Sequence, residues 1–171
     1  MSRTKPRKLF LLAVSACLIW AAAIGRADAV TILGSQAWSL TSPTFSGTGL
    51  DGKFYSLSPY TSSLSSLSQA DGFVAAHPTP TATFTATSLC LPSCNTSVAD
   101  TTTVATYLAG AATNVVGTTT GNIAISETRF SGYIAITAGT HSFTLSSDDG
   151  SSLQIGGTSI ISNDGIHALG G

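Results

Sequence analysis

The sequence reads as an all-β domain, a β-barrel or β-sandwich carrying one or two short helices. Three features point there. Charged residues make up only 9% of the 171, so hydroxyls and amides of Ser, Thr and Gly must solvate the surface, a habit of exported β proteins. Residues 122 to 161 break into short β-prone runs at close spacing, separated by glycine turns, the pattern of a sandwich or barrel. Further upstream, GLDGKFYSLS and TATFTAT alternate polar with apolar or β-branched groups, as half-buried strands do.

The first 29 residues look like an address. Arg3, Lys5, Arg7 and Lys8 precede an uncharged, mostly apolar run from Leu9 to Ile24, and Ala27-Asp28-Ala29 follows. That order is a secretory signal, with cleavage expected after Ala29 and the product secreted or held at the cell surface. Val14-Ser15-Ala16-Cys17 also resembles a bacterial lipobox, which would make Cys17 a lipidated N-terminus. Against that reading, the apolar run continues through Leu18, Ile19 and Trp20. The run is shorter than the roughly 20 apolar residues a transmembrane helix needs, and no other segment could span a bilayer. No transmembrane span is therefore expected once the signal is removed.

Residues 30–48 form an apolar lead with Trp38 and then a Ser/Thr/Gly connector; residues 49–171 are the expected domain. Its first strand lies in GLDGKFYSLS, with Leu50, Phe54 and Tyr55. In SLSQADGFVAAHP, Ser68 and Asp71 have capping-box spacing, and the helix should stop at His77 before Pro78. TATFTAT supplies a strand. In DTTTVATYLAGAA, Asp100 or Thr101 can cap a second short helix whose Val104, Tyr107 and Leu108 share a face, with Gly110 ending it. After these come five strand candidates: Asn122–Ser126, Phe130–Thr137, His141–Ser146, Leu153–Ile155 and Thr158–Ile161. The Gly156-Gly157 joint suits a tight hairpin, because positive φ costs glycine nothing. No internal repeat is visible.

Removing the signal takes five of the seven basic residues and leaves Lys53 and Arg129 against Asp51, Asp71, Asp100, Glu127, Asp148, Asp149 and Asp164, a formal charge of −5. With no basic patch, nucleic acid and anionic membrane are not expected partners. A cation or a neutral ligand fits better. Cys90 and Cys94, in CLPSC, survive cleavage in a chain bound for oxidising surroundings, and a loop-closing disulfide between them is expected. Two free buried thiols are the other reading; a metal pair lacks its remaining ligands.

Gly47-Thr48-Gly49-Leu50-Asp51-Gly52 spells the dinucleotide fingerprint, but a strand-like KFYSL follows where that motif needs a helix. Asn95-Thr96-Ser97 is a formal glycosylation sequon that reads as a polar turn beside the cysteine loop. The sequence has no GxSxG, HExxH or P-loop, and His77, His141 and His167 stand far apart. An enzyme is not expected.

The stretch TLSSDDGSSLQIGG places Asp148 and Asp149 side by side. Adjacent carboxylates repel unless a cation, donors or water compensates them. Ser147-Asp148-Asp149-Gly150 is good turn chemistry, and it equally suits Ca²⁺, which gathers several hard oxygens at once. Asn163 and Asp164, in a second turn, could add oxygens if the two loops meet.

The block RFSGYIAITAGTHSFTLSSDDGSSLQIGGTSIISNDGIHA, residues 129–168, resembles the central signature of the PA-fourteen family, the protective-antigen fourteen-kilodalton domain. The likeness runs through Gly-x-Tyr, AGTHxFxL, the DDG turn, a glycine hairpin and an Asn-Asp-Gly turn with a following histidine. GLDGKFYSLS resembles the family's opening strand. The resemblance implies a β-barrel or β-sandwich module of the kind found in glycosidases, bacterial surface proteins and adhesins. In lectin members, two neighbouring aspartates hold Ca²⁺ and sugar hydroxyls complete its shell. Carried over by position, Asp148 and Asp149 would be the metal residues, with Asn163 and Asp164 joining them at the ligand site and Ca²⁺ as cofactor. The implied function is an exported bacterial carbohydrate- or glycoconjugate-binding module in adhesion or surface recognition. The alternative is a structural or protein-interaction β domain of a surface protein with no sugar or metal site. The family continues with further strands where this chain reads Ala168-Leu169-Gly170-Gly171. A domain incomplete at its C-terminus is therefore expected, its last strands missing: the sequence is a fragment, which is the favoured reading, or a truncated and poorly folded product, or a chain whose barrel a partner domain or chain completes.

Overall fold

The computed structural model describes residues 48–166 except 62, 94–97, 135, 137, 138 and 148. All of these belong to the unit running from Thr31 to Gly171. The signal segment with Cys17, the lead with Trp38, Cys94, the sequon at 95–97, Asp148, His167 and residues 168–171 lie outside the described residues.

The described chain is mostly β, with two antiparallel sheets and two short helices. Strands β1 (Leu50–Ser56), β2 (Ala82–Ala86), β3 (Ala112–Gly117) and β4 (Ser126–Ser131) form one sheet in the order β3-β2-β1-β4. Strands β5 (Ser151–Ile155) and β6 (Thr158–Asn163) form the second. Helix α1 (Leu67–Ala76) joins β1 to β2, and α2 (Val104–Leu108) precedes β3.

Alternation along β1 and β2 builds the core. Gly52 and Phe54 turn inward while Asp51 and Lys53 face out, and Ala82, Phe84 and Ala86 point the same way from β2. Val104 and Leu108 of α2 pack on these residues, with Leu50, Tyr107, Ile123 and Phe130 around the margin. Burying side chains such as Phe54 and Leu108, each 2% exposed or less, contributes about 1.5–3 kcal/mol apiece. The glycines of the dinucleotide look-alike serve this packing. A Cβ at Gly52 would collide with the Phe84 ring, and Gly49, at φ +112°, leaves no room beside the Ala86 carbonyl. The strand that follows them rules out the nucleotide reading.

Both helices exist where expected but begin elsewhere. The N-cap of α1 is Ser66, not Ser68: its Oγ accepts from the Gln69 amide at 3.3 Å. The Gln69 Oε1 accepts from the amide of Ser65, one residue before the cap, at 2.8 Å, so the return contact at this helix start is made by Gln69 rather than Asp71. Asp71 is instead drawn to Arg129. For α2 the cap is Thr103, not Asp100 or Thr101. Its first two amides are taken by the carbonyls of Gly121 and Thr119, which satisfies donors that a helix start otherwise leaves open. Gly110, at φ +79°, follows the last turn as predicted.

Asn122–Ser126 is not a strand of its own; only Ser126 is in one, as the first residue of β4. Asn122 bridges Thr103, the amide of Ile123 goes to Thr102 and the Ile125 carbonyl accepts from Leu57, so this backbone is divided between two separate segments rather than paired along one strand. Phe130–Thr137 contributes only its first two residues, to β4. The pairing of β4 ends at Asp51 with Ser131, and the described residues of 132–136 are in no strand. His141–Ser146 is likewise in no regular strand.

Strand β3 was not expected. It is an edge strand, largely exposed, with a bulge opposite Phe84 where Asn114 takes φ +53°, so it lacks clean alternation. The β5–β6 hairpin matches expectation: Gly156 and Gly157, at φ +58° and +78°, make its two-residue turn. A bulge at Leu153/Gln154 sets its register.

Candidate functional site

The aspartate turn immediately precedes β5. Asp149 is exposed, and the hydroxyls of Ser147 and Ser151 hydrogen-bond across the turn at 2.7 Å. The two loops named from the sequence do meet. A Cβ at Gly150 would stand 3.2 Å from the Asn163 carbonyl oxygen and 3.3 Å from that of Gly165, a tight fit, so the turn lies close against its neighbour. Asn163 ends β6 opposite Ser151. The exposed Asp149 is the residue next to this close approach, and carboxylate and carbonyl oxygens are hard oxygens of the kind Ca²⁺ takes. Among the described residues no three His, Cys, Asp or Glu side chains come close enough to hold a metal.

Asp164 is engaged elsewhere. Its Oδ1 accepts from the Leu67 amide at 2.6 Å and from Gly165 at 2.8 Å. The first amide opens α1, so this carboxylate caps a helix 97 residues away in sequence. Cys90 is disulfide-bonded; its expected partner Cys94 lies outside the described residues.

Two further groupings escaped the sequence reading. Arg129 on β4 bonds Glu127 through Nε at 2.5 Å and Asp71 of α1 through Nη2 at 2.6 Å. Glu127 is only 16% exposed, and its Oε2 is buried with no hydrogen-bond partner. Burial pushes its carboxyl above the usual range, against the opposing pull of Arg129. The i, i+2 spacing in Glu127-Thr128-Arg129 hinted at a same-face pair, but Asp71 could not be foreseen from it.

The second grouping is a groove of about 320 Å³ between α1 and the chain entering and leaving it, lined by Tyr55, Ser56, Tyr60, Phe73, His77 and Thr81 among others. The ring of His77 lies 4.3 Å from that of Tyr60 and 4.5 Å from that of Phe73. The i, i+4 spacing of Phe73 and His77 was its only sequence signal. His77 is therefore part of an aromatic cluster, while His141 is exposed on an irregular segment.

No helix among the described residues is long and apolar enough to cross a membrane. No protein-family model, curated protein or solved structure matches the chain.

Proposed function

We propose that the chain is an exported carbohydrate- or glycoconjugate-binding module whose ligand site is the Asp148-Asp149 turn. The reading takes from the PA-fourteen resemblance a barrel or sandwich architecture and a role in surface recognition. The observation that carries it is the closure of the Asp149-Gly150 turn onto the Asn163 and Gly165 backbone. That closure supports a shared oxygen-rich loop end in a chain without a basic patch. Asp148 and Asp149 would hold Ca²⁺, with carbonyl oxygens of the second loop beside them. Bound there, the ion would supply coordination sites that a vicinal diol fills in place of two waters.

The use of Asp164 as a helix cap favours a second reading, a structural β domain in which both acidic turns only organise backbone. Capture on immobilised neutral glycans separates the two. The carbohydrate reading expects capture in Ca²⁺ that EDTA and the double change Asp148→Asn, Asp149→Asn both remove; the structural reading expects no capture under any condition.

A further inference from the structure

We propose that the groove beside α1 is a second saccharide site, one that works by ring stacking and needs no cation. It shares the ligand class of the reading above but none of its residues. The groove's volume of about 320 Å³ falls at the small end of the roughly 300–1,000 Å³ of small-molecule sites. None of its lining residues is Asp, Glu, Lys or Arg, so no carboxylate, ammonium or guanidinium lines it to pair with a charged ligand, and a neutral one fits better.

Tyr60 carries the argument. It is 66% exposed, yet it is held in place. Its amide donates to the Leu57 carbonyl at 2.7 Å, the Thr61 amide donates to the same oxygen, and its ring rests against His77. A large ring both exposed and fixed presents apolar area to a ligand with little ordering still to be lost. The C–H face of a pyranose matches such a surface, and its hydroxyls need donors and acceptors at the rim. Thr81 is one: its Oγ1 accepts from the Ser56 amide at 2.9 Å, which leaves its own proton to donate. A purely apolar ligand would leave those rim groups unpaired, at a cost in affinity.

Ring-resolved NMR of the purified protein in excess EDTA tests this, with methyl β-glucoside, methyl β-galactoside, methyl α-mannoside and maltotetraose as probes. At least one probe should shift the Tyr60, Phe73 and His77 ring signals saturably, and Tyr60→Ala should weaken that binding about tenfold or more. Methyl signals of Val104 and Leu108 report whether the variant keeps its core. No saturable ring shift with any probe overturns the proposal, as does a Tyr60→Ala variant with an intact core that binds like the wild type. Because EDTA silences a cation site, failure here leaves the aspartate turn untouched, and success here does not depend on it.

Discussion

Glu127 is an acid that folding makes weaker. Burial raises its carboxyl pKa despite the hydrogen bond and charge of Arg129. Arg129 itself, though burial works against its charge, is held more basic by Glu127 and then Asp71. For Glu127 the native state keeps a proton that the unfolded chain has released. Its contribution to stability is therefore greatest at low pH and declines as pH rises from about 4.5, the ordinary carboxyl value, through the raised native value. Glu127→Gln has no such titration. Urea unfolding between pH 4.5 and 7 should show the variant gaining stability relative to the wild type as pH rises; parallel pH profiles would contradict the burial argument.

At the scale of elements, the contact between Asp164 and α1 ties the end of β6 to a helix start. Asp164→Ala should cost about 0.5–2 kcal/mol, nearer the low end because the contact is exposed, read as a lower urea midpoint at unchanged slope. An unchanged midpoint would mean Ser66 suffices as cap. This tie was illegible in the sequence because a carboxylate in an Asn-Asp-Gly turn says nothing about a helix 97 residues upstream. What was legible had a local cause. Alternation fixed β1 and β2, the paired glycines fixed the β5–β6 turn, and Pro78 after His77 fixed the end of α1. The misses have backbone causes: Tyr133, Ile134, Ile136 and His141–Ser146 have strand-like side chains but sit in no ladder, and Asn122–Ile125 spends its backbone on Thr102, Thr103 and Leu57, whereas a strand needs one neighbouring backbone to pair along. Edge strand β3 failed the other way, being paired but too exposed and bulged to alternate.

Across the whole molecule, every buried hydrophobic among the described residues lies between Phe54 and Ala111. The β5–β6 hairpin contributes none, and its side chains are half-buried at most. The aspartate turn therefore sits outside the core, on a hairpin anchored by Gly150 against the second loop and by Asp164 against α1. Function placed on loops around a packed scaffold lets a binding site vary without unfolding it. It also makes the central claim testable, since changes at the turn should leave the core intact. Calorimetric titration of the purified protein with Ca²⁺, beside the Asp148→Asn, Asp149→Asn variant, is the most direct measurement. The account predicts saturable heat from the wild type that the variant loses while remaining folded. No heat from a folded wild-type sample, or equal heat from both proteins, would contradict it and leave the acidic turn a structural feature of the hairpin.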